Sequence, residues 1–203
     1  MKTPFFVCAG VAMLLSAAGC SSKPDSVEQA QETNAATIGD RDSTAAAAVN
    51  GKEGKESPTF DSEFLTKAAS GGMLEVQLGQ QVAQKATTPE AKSFAQQMIT
   101  DHTKANEELK GLAAKKNIVL PTTLGQDQQK VYDEVLAEKG PELDKKYVQA
   151  MIADHEEDIK EFEAAVTNTK DSDVRAFAQR TLPVLQMHLS MVQKMQPVVE
   201  AKK

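Results

Sequence analysis

Thiols are nearly missing from this chain of 203 residues: its two cysteines, Cys8 and Cys20, both fall within the first twenty positions. Beyond Cys20 there is no sulfhydryl, so no internal disulfide, thiolate metal site or cysteine nucleophile can form there. Tryptophan is absent and aromatics are only 4% of residues, too few for the stacking platforms of carbohydrate or single-stranded nucleic acid binders. Positive charge is also short. Twenty-three Lys and Arg face 29 Asp and Glu, a net charge of −6, and the basic residues occur only as short pairs such as Lys115-Lys116 and Lys145-Lys146. That argues against nucleic acid as a partner. No Gly-rich phosphate loop and no serine-nucleophile arrangement is present, so no enzyme signature emerges.

What is present begins with a leader. "MKTPFFVCAGVAMLLSAAGC" has a basic start at Lys2, an apolar run from Phe5 to Leu15 and small residues before Cys20. That is the pattern of a secretory signal, too short for a membrane span. Ala17-Ala18-Gly19-Cys20 resembles a bacterial lipoprotein cleavage site, although Ala17 stands where such sites usually carry Leu. The expectation is a leader over 1–19 and lipidation of Cys20, with the membrane as partner. Acyl chains contribute roughly 0.8 kcal/mol per buried methylene to such anchoring. The alternative is an ordinary secreted protein cut nearby. Ser21 after the cysteine points, by resemblance to known lipoproteins, to an outer membrane lipoprotein facing the periplasm of a bacterial envelope. Residues 20–58 are Ala, Ser, Thr, Asp, Glu and Gly with almost nothing large and apolar, which predicts a disordered tether.

Over 59–197 the apolar residues repeat with a period near 3.6, the signature of amphipathic helices. Long helices are predicted at about 61–86, 88–116, 141–168 and 172–195, with a short one at 126–138. Thr88 and Pro89 suit a helix start, Gly140-Pro141 a break, and Asp171 or Ser172 a cap. Gly71-Gly72 and Pro183 lie inside predicted helices, where a glycine pair needs a packing reason and a proline predicts a bend or a restart. The fold class is all-α, an antiparallel four-helix bundle with a short extra helix in the crossover. Residues 198–203 form a tail.

The chain has three histidines. "MITDH" and "MIADH" place His102 and His155 in matched contexts, and each falls on its helix's apolar stripe, as does His188 on the last helix. Glu75 falls on the stripe of the first. Counting residues from the turns puts Glu75, His102 and His155 at similar depth and His188 roughly one turn too far. A buried carboxylate needs a partner. Either the set forms a hydrogen-bonded network, or it binds a transition metal, with three imidazoles and a carboxylate suiting copper or zinc. Met98, Met151 and Met191 each share a face with a histidine. They either fill core gaps or add thioether ligands that would favour Cu(I). Asp101 and Asp154 precede their histidines, so their side chains point about 100° away, which argues against direct ligation.

The segments "AASGGMLEVQLGQQVAQKATTPEAKSFAQQMITDHTKANEELKGLAAKKNIVLP", "YVQAMIADHEEDIKEFEAA" and "TLPVLQMHL" resemble a bacterial family, domain of unknown function 4142, whose members are often labelled outer membrane proteins. The resemblance spans about residues 60–197 and implies a ferritin-like fold. Di-iron members of the wider ferritin-like group use Glu-x-x-His pairs. Here Ile99, Ile152 and Leu185 stand three before each histidine, so the bridging carboxylates of a di-iron centre are missing. Three functions stay open: a membrane-anchored envelope lipoprotein with a non-enzymatic binding, structural or stress-related role, which the sequence favours; a mononuclear copper- or zinc-handling protein using the Glu/His core; and a catalytic bundle such as a metal-dependent oxidase.

Overall fold

The computed structural model describes residues 25–45 and 57–202, with the backbone alone for residues 40–45, 57 and 58. The leader, Cys8 and Cys20 lie outside the described residues. Six helices follow one another: α1 Ser26–Ala45, α2 Ser57–Lys85, α3 Pro89–Lys116, α4 Gln126–Ala137, α5 Pro141–Asn168 and α6 Ser172–Glu200. The fold is all-α, and α2, α3, α5 and α6 form the four-helix bundle. Among the described residues no helix is long and apolar enough to cross a membrane.

The caps are those the sequence suggests. Thr88 Oγ1 accepts from Ala91 N, with Pro89 opening α3, and Asp171 accepts from the backbone of Asp173 and Val174 to open α6. Asn117 ends α3 in the left-handed region at φ 54°, as a C-terminal cap requires. Pro183 does not interrupt α6, which runs as one helix; its ring faces solvent, where the carbonyl it deprives of a donor can be hydrated. The glycine pair has its packing reason. A Cβ on Gly72 would lie 2.0 Å from Asn106 Oδ1, so its absence lets α2 approach α3.

Two apolar clusters fill the bundle. One combines Leu78 and Val82 of α2, Phe94 and Met98 of α3, Tyr147 and Met151 of α5, and Val192 and Met195 of α6. The other combines Phe64 and Leu65, Leu109 and Leu112, Phe162, and Phe177 and Leu185 from the opposite ends of the same helices. The pairing fixes the directions: α3 and α5 run parallel to each other, and α2 and α6 run opposite to both. The 117–140 connection, which contains α4, therefore returns the chain along the length of the bundle. At the first end, buried Asp144 of α5 accepts from Thr87 N, Thr88 N and Thr87 Oγ1 and so pins the α2–α3 turn.

Two expectations fail. The tail expected from residue 198 starts later, because α6 runs to Glu200 and buries Val199 in the first cluster. The second concerns the tether. Residues 26–45, expected within a disordered tether, form a helix lying on α2. The reason is polar docking. Asn34, 2% exposed, brackets Val119, donating from Nδ2 to its carbonyl and accepting from its N–H. Ser26 Oγ donates to the carbonyls of Thr123 and Leu124, and Gln31 donates to Thr66 Oγ1. Ala30 is the one apolar side chain of α1 that is buried among its described residues, so no hydrophobic stripe announces this helix.

Candidate metal centre

Between the two apolar clusters lies a polar layer. Met98, His102 and Leu109 follow one another down α3; Met151, His155 and Phe162 do so down α5; Leu185, His188 and Val192 do so along α6. The histidines are 5%, 0% and 0% exposed, and Glu75 of α2 is 1% exposed, so all four face inward. His102 and His155 match because α3 and α5 are parallel and set both "Met-Ile-x-Asp-His" runs at one height.

His188 is not a turn too far. Thirteen positions separate His155 from the end of α5 at Asn168, and sixteen separate the start of α6 at Ser172 from His188. A helical side chain leans toward its own N-terminus, so in an antiparallel pair His155 leans away from the turn and His188 leans back toward it. The lean closes the offset. The same offset of three recurs in the first hairpin, where Glu75 is ten positions before Lys85 and His102 thirteen after Pro89.

The imidazoles converge on an edge. His102 Nε2 lies 3.2 Å from His188 Nδ1, and His155 Nε2 lies 3.4 Å from the same atom. Each outer nitrogen has an oxygen acceptor: Glu75 Oε2 for His102 Nδ1 at 2.5 Å, the Met151 carbonyl for His155 Nδ1 at 3.0 Å, and Asp101 Oδ2 for His188 Nε2 at 2.9 Å. Burial holds His102 down at about 4, partly offset by the Asp101 charge. Burial and the neighbouring imidazoles hold His155 at about 3. Burial also lowers His188, against the pull of Asp101. The rings are therefore neutral at pH 7. In the tautomers that serve all three outer acceptors, three lone pairs face one another with no proton between them.

The acids divide into two kinds. Burial pushes the Asp101 carboxyl up, but hydrogen bonds from Gln97 and His188 outweigh it and leave the group below its usual range. Asp101 is thus an ionised acceptor behind His188. Burial raises Glu75 well above the usual range. Asp154 is raised by burial and by the Glu75 charge beside it, and Asp158 by burial and by the Asp154 charge. Glu75 Oε1 and Asp154 Oδ2 have no donor from any other group, the two carboxyls are hydrogen-bonding neighbours, and Glu75 Oε1 lies 3.5 Å from His155 Nε2. The Tyr147 hydroxyl, fully buried and close enough to feel both Glu75 and Asp154, also lacks a partner.

Among the described residues, two overlapping groups have the spacing to hold a metal ion: His102, His155 and His188, and Glu75, Asp154 and His155. In each group the donor atoms lie within 4.8 Å of one another. Glu75, expected beside the histidines as a ligand, stands behind His102 through Oε2 and keeps only Oε1 free. Met98 and Met151 are fully buried in the apolar cluster next to the layer. Met191 is 39% exposed: three residues beyond His188 on α6, it stands about 60° to one side of the buried face and reaches the surface. Asp101, Asp154, Asp158 and Tyr147 complete the layer without having marked themselves in the apolar pattern.

No curated protein and no solved structure matches the chain. A family model described as a domain of unknown function does match, over residues 41–195. That span takes in α2 to α6 but for the last residues of α6, and with it every residue of the polar layer. The chain therefore belongs to the DUF4142 family.

Proposed function

We propose that the bundle is a mononuclear transition-metal site of the copper or zinc class, with His102, His155 and His188 as ligands. The observation that carries this reading is the convergence of three buried ring nitrogens, each on a ring whose other nitrogen faces an oxygen acceptor. Without an ion the arrangement is electrostatically poor; with one it is complete. A tetrahedral ion bonded to nitrogen at about 2.0–2.1 Å sets its ligands roughly 3.3–3.4 Å apart, and the nitrogens here stand 3.2 and 3.4 Å apart. Glu75 and Asp101 then play the part of carboxylates that orient metal-bound imidazoles and raise their basicity. With three protein ligands, a fourth position is left for Glu75 Oε1, water or a small ligand.

Of the functions the sequence leaves open, metal handling has this specific support. Without an ion, an inner imidazole hydrogen bond forms only if one ring moves its proton from the outer nitrogen to the inner one, away from its acceptor. Exposed Met191 removes one thioether from a Cu(I) set, which favours a nitrogen-based site. Anchoring through lipidated Cys20 on the periplasmic side of an outer membrane remains part of the proposal on the sequence alone. The ferritin-like assignment rests there too. Metal analysis of protein purified without chelator, followed by titration with Zn²⁺ and Cu²⁺, tests the site. One ion per chain is expected, with binding lost in His155→Ala and His188→Ala. Absence of stoichiometric uptake by the folded wild type would overturn it.

A further inference from the structure

We infer that the acidic cavity beside α5 is the route by which a divalent cation reaches the three-histidine site, with Glu75, Asp154 and His155 as a transient holding position on the way. The inference rests on the metal reading above and adds to it a path and a second place for the ion.

The cavity, of about 320 Å³, lies among α1, α2, the start of α4 and α5. Its outer wall carries Glu28, Asp127, Glu157 and Glu161, and its lining includes Asp154 and Asp158. Lys67 is the one cation among the lining residues, and it is paired with Glu161 at 3.1 Å. A cleft lined by one sign of charge concentrates counter-ions and raises association rates by roughly 10–1,000-fold.

Acidity alone would describe only a solvated face. The inner end supplies what a solvated face lacks. Glu75 Oε1 and Asp154 Oδ2 are both buried without a donor from any other residue, and the two carboxyls are hydrogen-bonding neighbours, so the pair is answered only by a shared proton or by a cation. The pair belongs with His155 to the cluster whose donor atoms lie within 4.8 Å. Asp158 lines the outer cavity and also a smaller one, of about 20 Å³, against Gly72, Glu75 and His102. The two acids of the lining therefore reach the polar layer from outside. Gly71, also on the cavity wall, leaves the Asp158 carboxyl uncovered: a Cβ there would lie 3.7 Å from its Oδ1.

His155 joins the two positions. Its Nε2 lies 3.5 Å from Glu75 Oε1 on one side and 3.4 Å from His188 Nδ1 on the other. One lone pair serves one ion, so the two positions are used in turn. Carboxylate oxygens accept a cation that still carries water, and imidazoles prefer the dehydrated first-row ion. The ion exchanges Glu75 and Asp154 oxygens for the His102 and His188 nitrogens while His155 keeps hold of it.

The test is stopped-flow uptake of Zn²⁺ by wild type, Asp158→Asn and the double variant Glu28→Gln/Glu157→Gln, at low ionic strength and at about 0.5 M salt, where exposed charges are screened. Glu28 and Glu157 are both exposed, so the double variant keeps the fold whatever Asp158→Asn does. The expected result is an association rate about tenfold lower in each variant at low salt, with one ion still bound at the end. The double variant and wild type should converge in high salt. If wild type takes up Zn²⁺ and the double variant matches its rate within twofold at low salt, the route is wrong and the site stands. If wild type takes up none, the site itself fails and the route falls with it.

Discussion

Asp101 is where a single carboxylate decides what an imidazole can do. It sits on the flank of α3, one residue before His102, yet its Oδ2 accepts from His188 Nε2 across the α3–α6 contact. That bond fixes the His188 proton on Nε2 and turns Nδ1 toward the other two rings. In Asp101→Ala the ring loses its anchor, and removal of such an outer partner typically lowers metal affinity about 10–100-fold. Asp101→Asn, which keeps an acceptor oxygen in place, should lose less. Competition of Zn²⁺ between each variant and a chromophoric chelator reads both. Asp101→Ala binding within twofold of wild type would remove Asp101 from the site. The sequence pattern exposed the three histidines and Glu75 because each breaks an apolar stripe. The pattern argues against Asp101 and Asp154 as ligands, although Asp154 has the spacing to be one, and gives no sign of Tyr147, because their roles depend on groups supplied by neighbouring helices, and a single helix's periodicity carries no information about those.

At the scale of elements, the four long helices and α4 were legible because burial stamps a 3.6 period on them and Thr88, Pro89, Pro141 and Asp171 punctuate their starts. Helix α1 was not, since it docks by side-chain hydrogen bonds and buries little apolar surface. Helix α1 also hangs on an acid-sensitive anchor of its own. Asp25 accepts from Val27 N and Glu28 N at the start of α1 and from Gln126 N at the start of α4. Burial raises its carboxyl, but these backbone donors prevail and the net value falls below the usual one. A carboxyl depressed in the folded state stabilises that state above its unfolded value of about 4, and the contribution is lost as pH falls through the folded value. Losing that contribution should loosen α1 alone, so Asp25→Asn should free α1 already at pH 6 while α2, α3, α5 and α6 stay folded. In wild type the core is acid-sensitive too, because the buried His102 and His155 rings, held at about 4 and about 3, cost stability as pH falls below their unfolded value of about 6.5. Backbone amide chemical shifts of wild type and Asp25→Asn at pH 6 separate the two, and loss of the core together with α1 in Asp25→Asn would refute the distinction.

The whole molecule is two hairpins, α2–α3 and α5–α6, meeting across a layer that interrupts the apolar core at mid-height. His102 comes from the first hairpin; His155 and His188 come from the second. An ion bound by all three ties the hairpins together where dispersion and hydrophobic burial are weakest, and it does so only in the folded state. Stability then rises with free metal as RT ln(1 + [L]/Kd), about 2.7 kcal/mol at a hundredfold excess over Kd. For a domain of this size that raises Tm by roughly 5–10 °C. The shift should grow with Zn²⁺ concentration, vanish on adding a chelator, and be absent in His102→Ala, which leaves the second hairpin's two histidines without their partner. Calorimetry of the chelated and metal-loaded protein measures it. An equal shift in His102→Ala would mean that the ion stabilises some other part of the chain, and that the polar layer is not what joins the two halves.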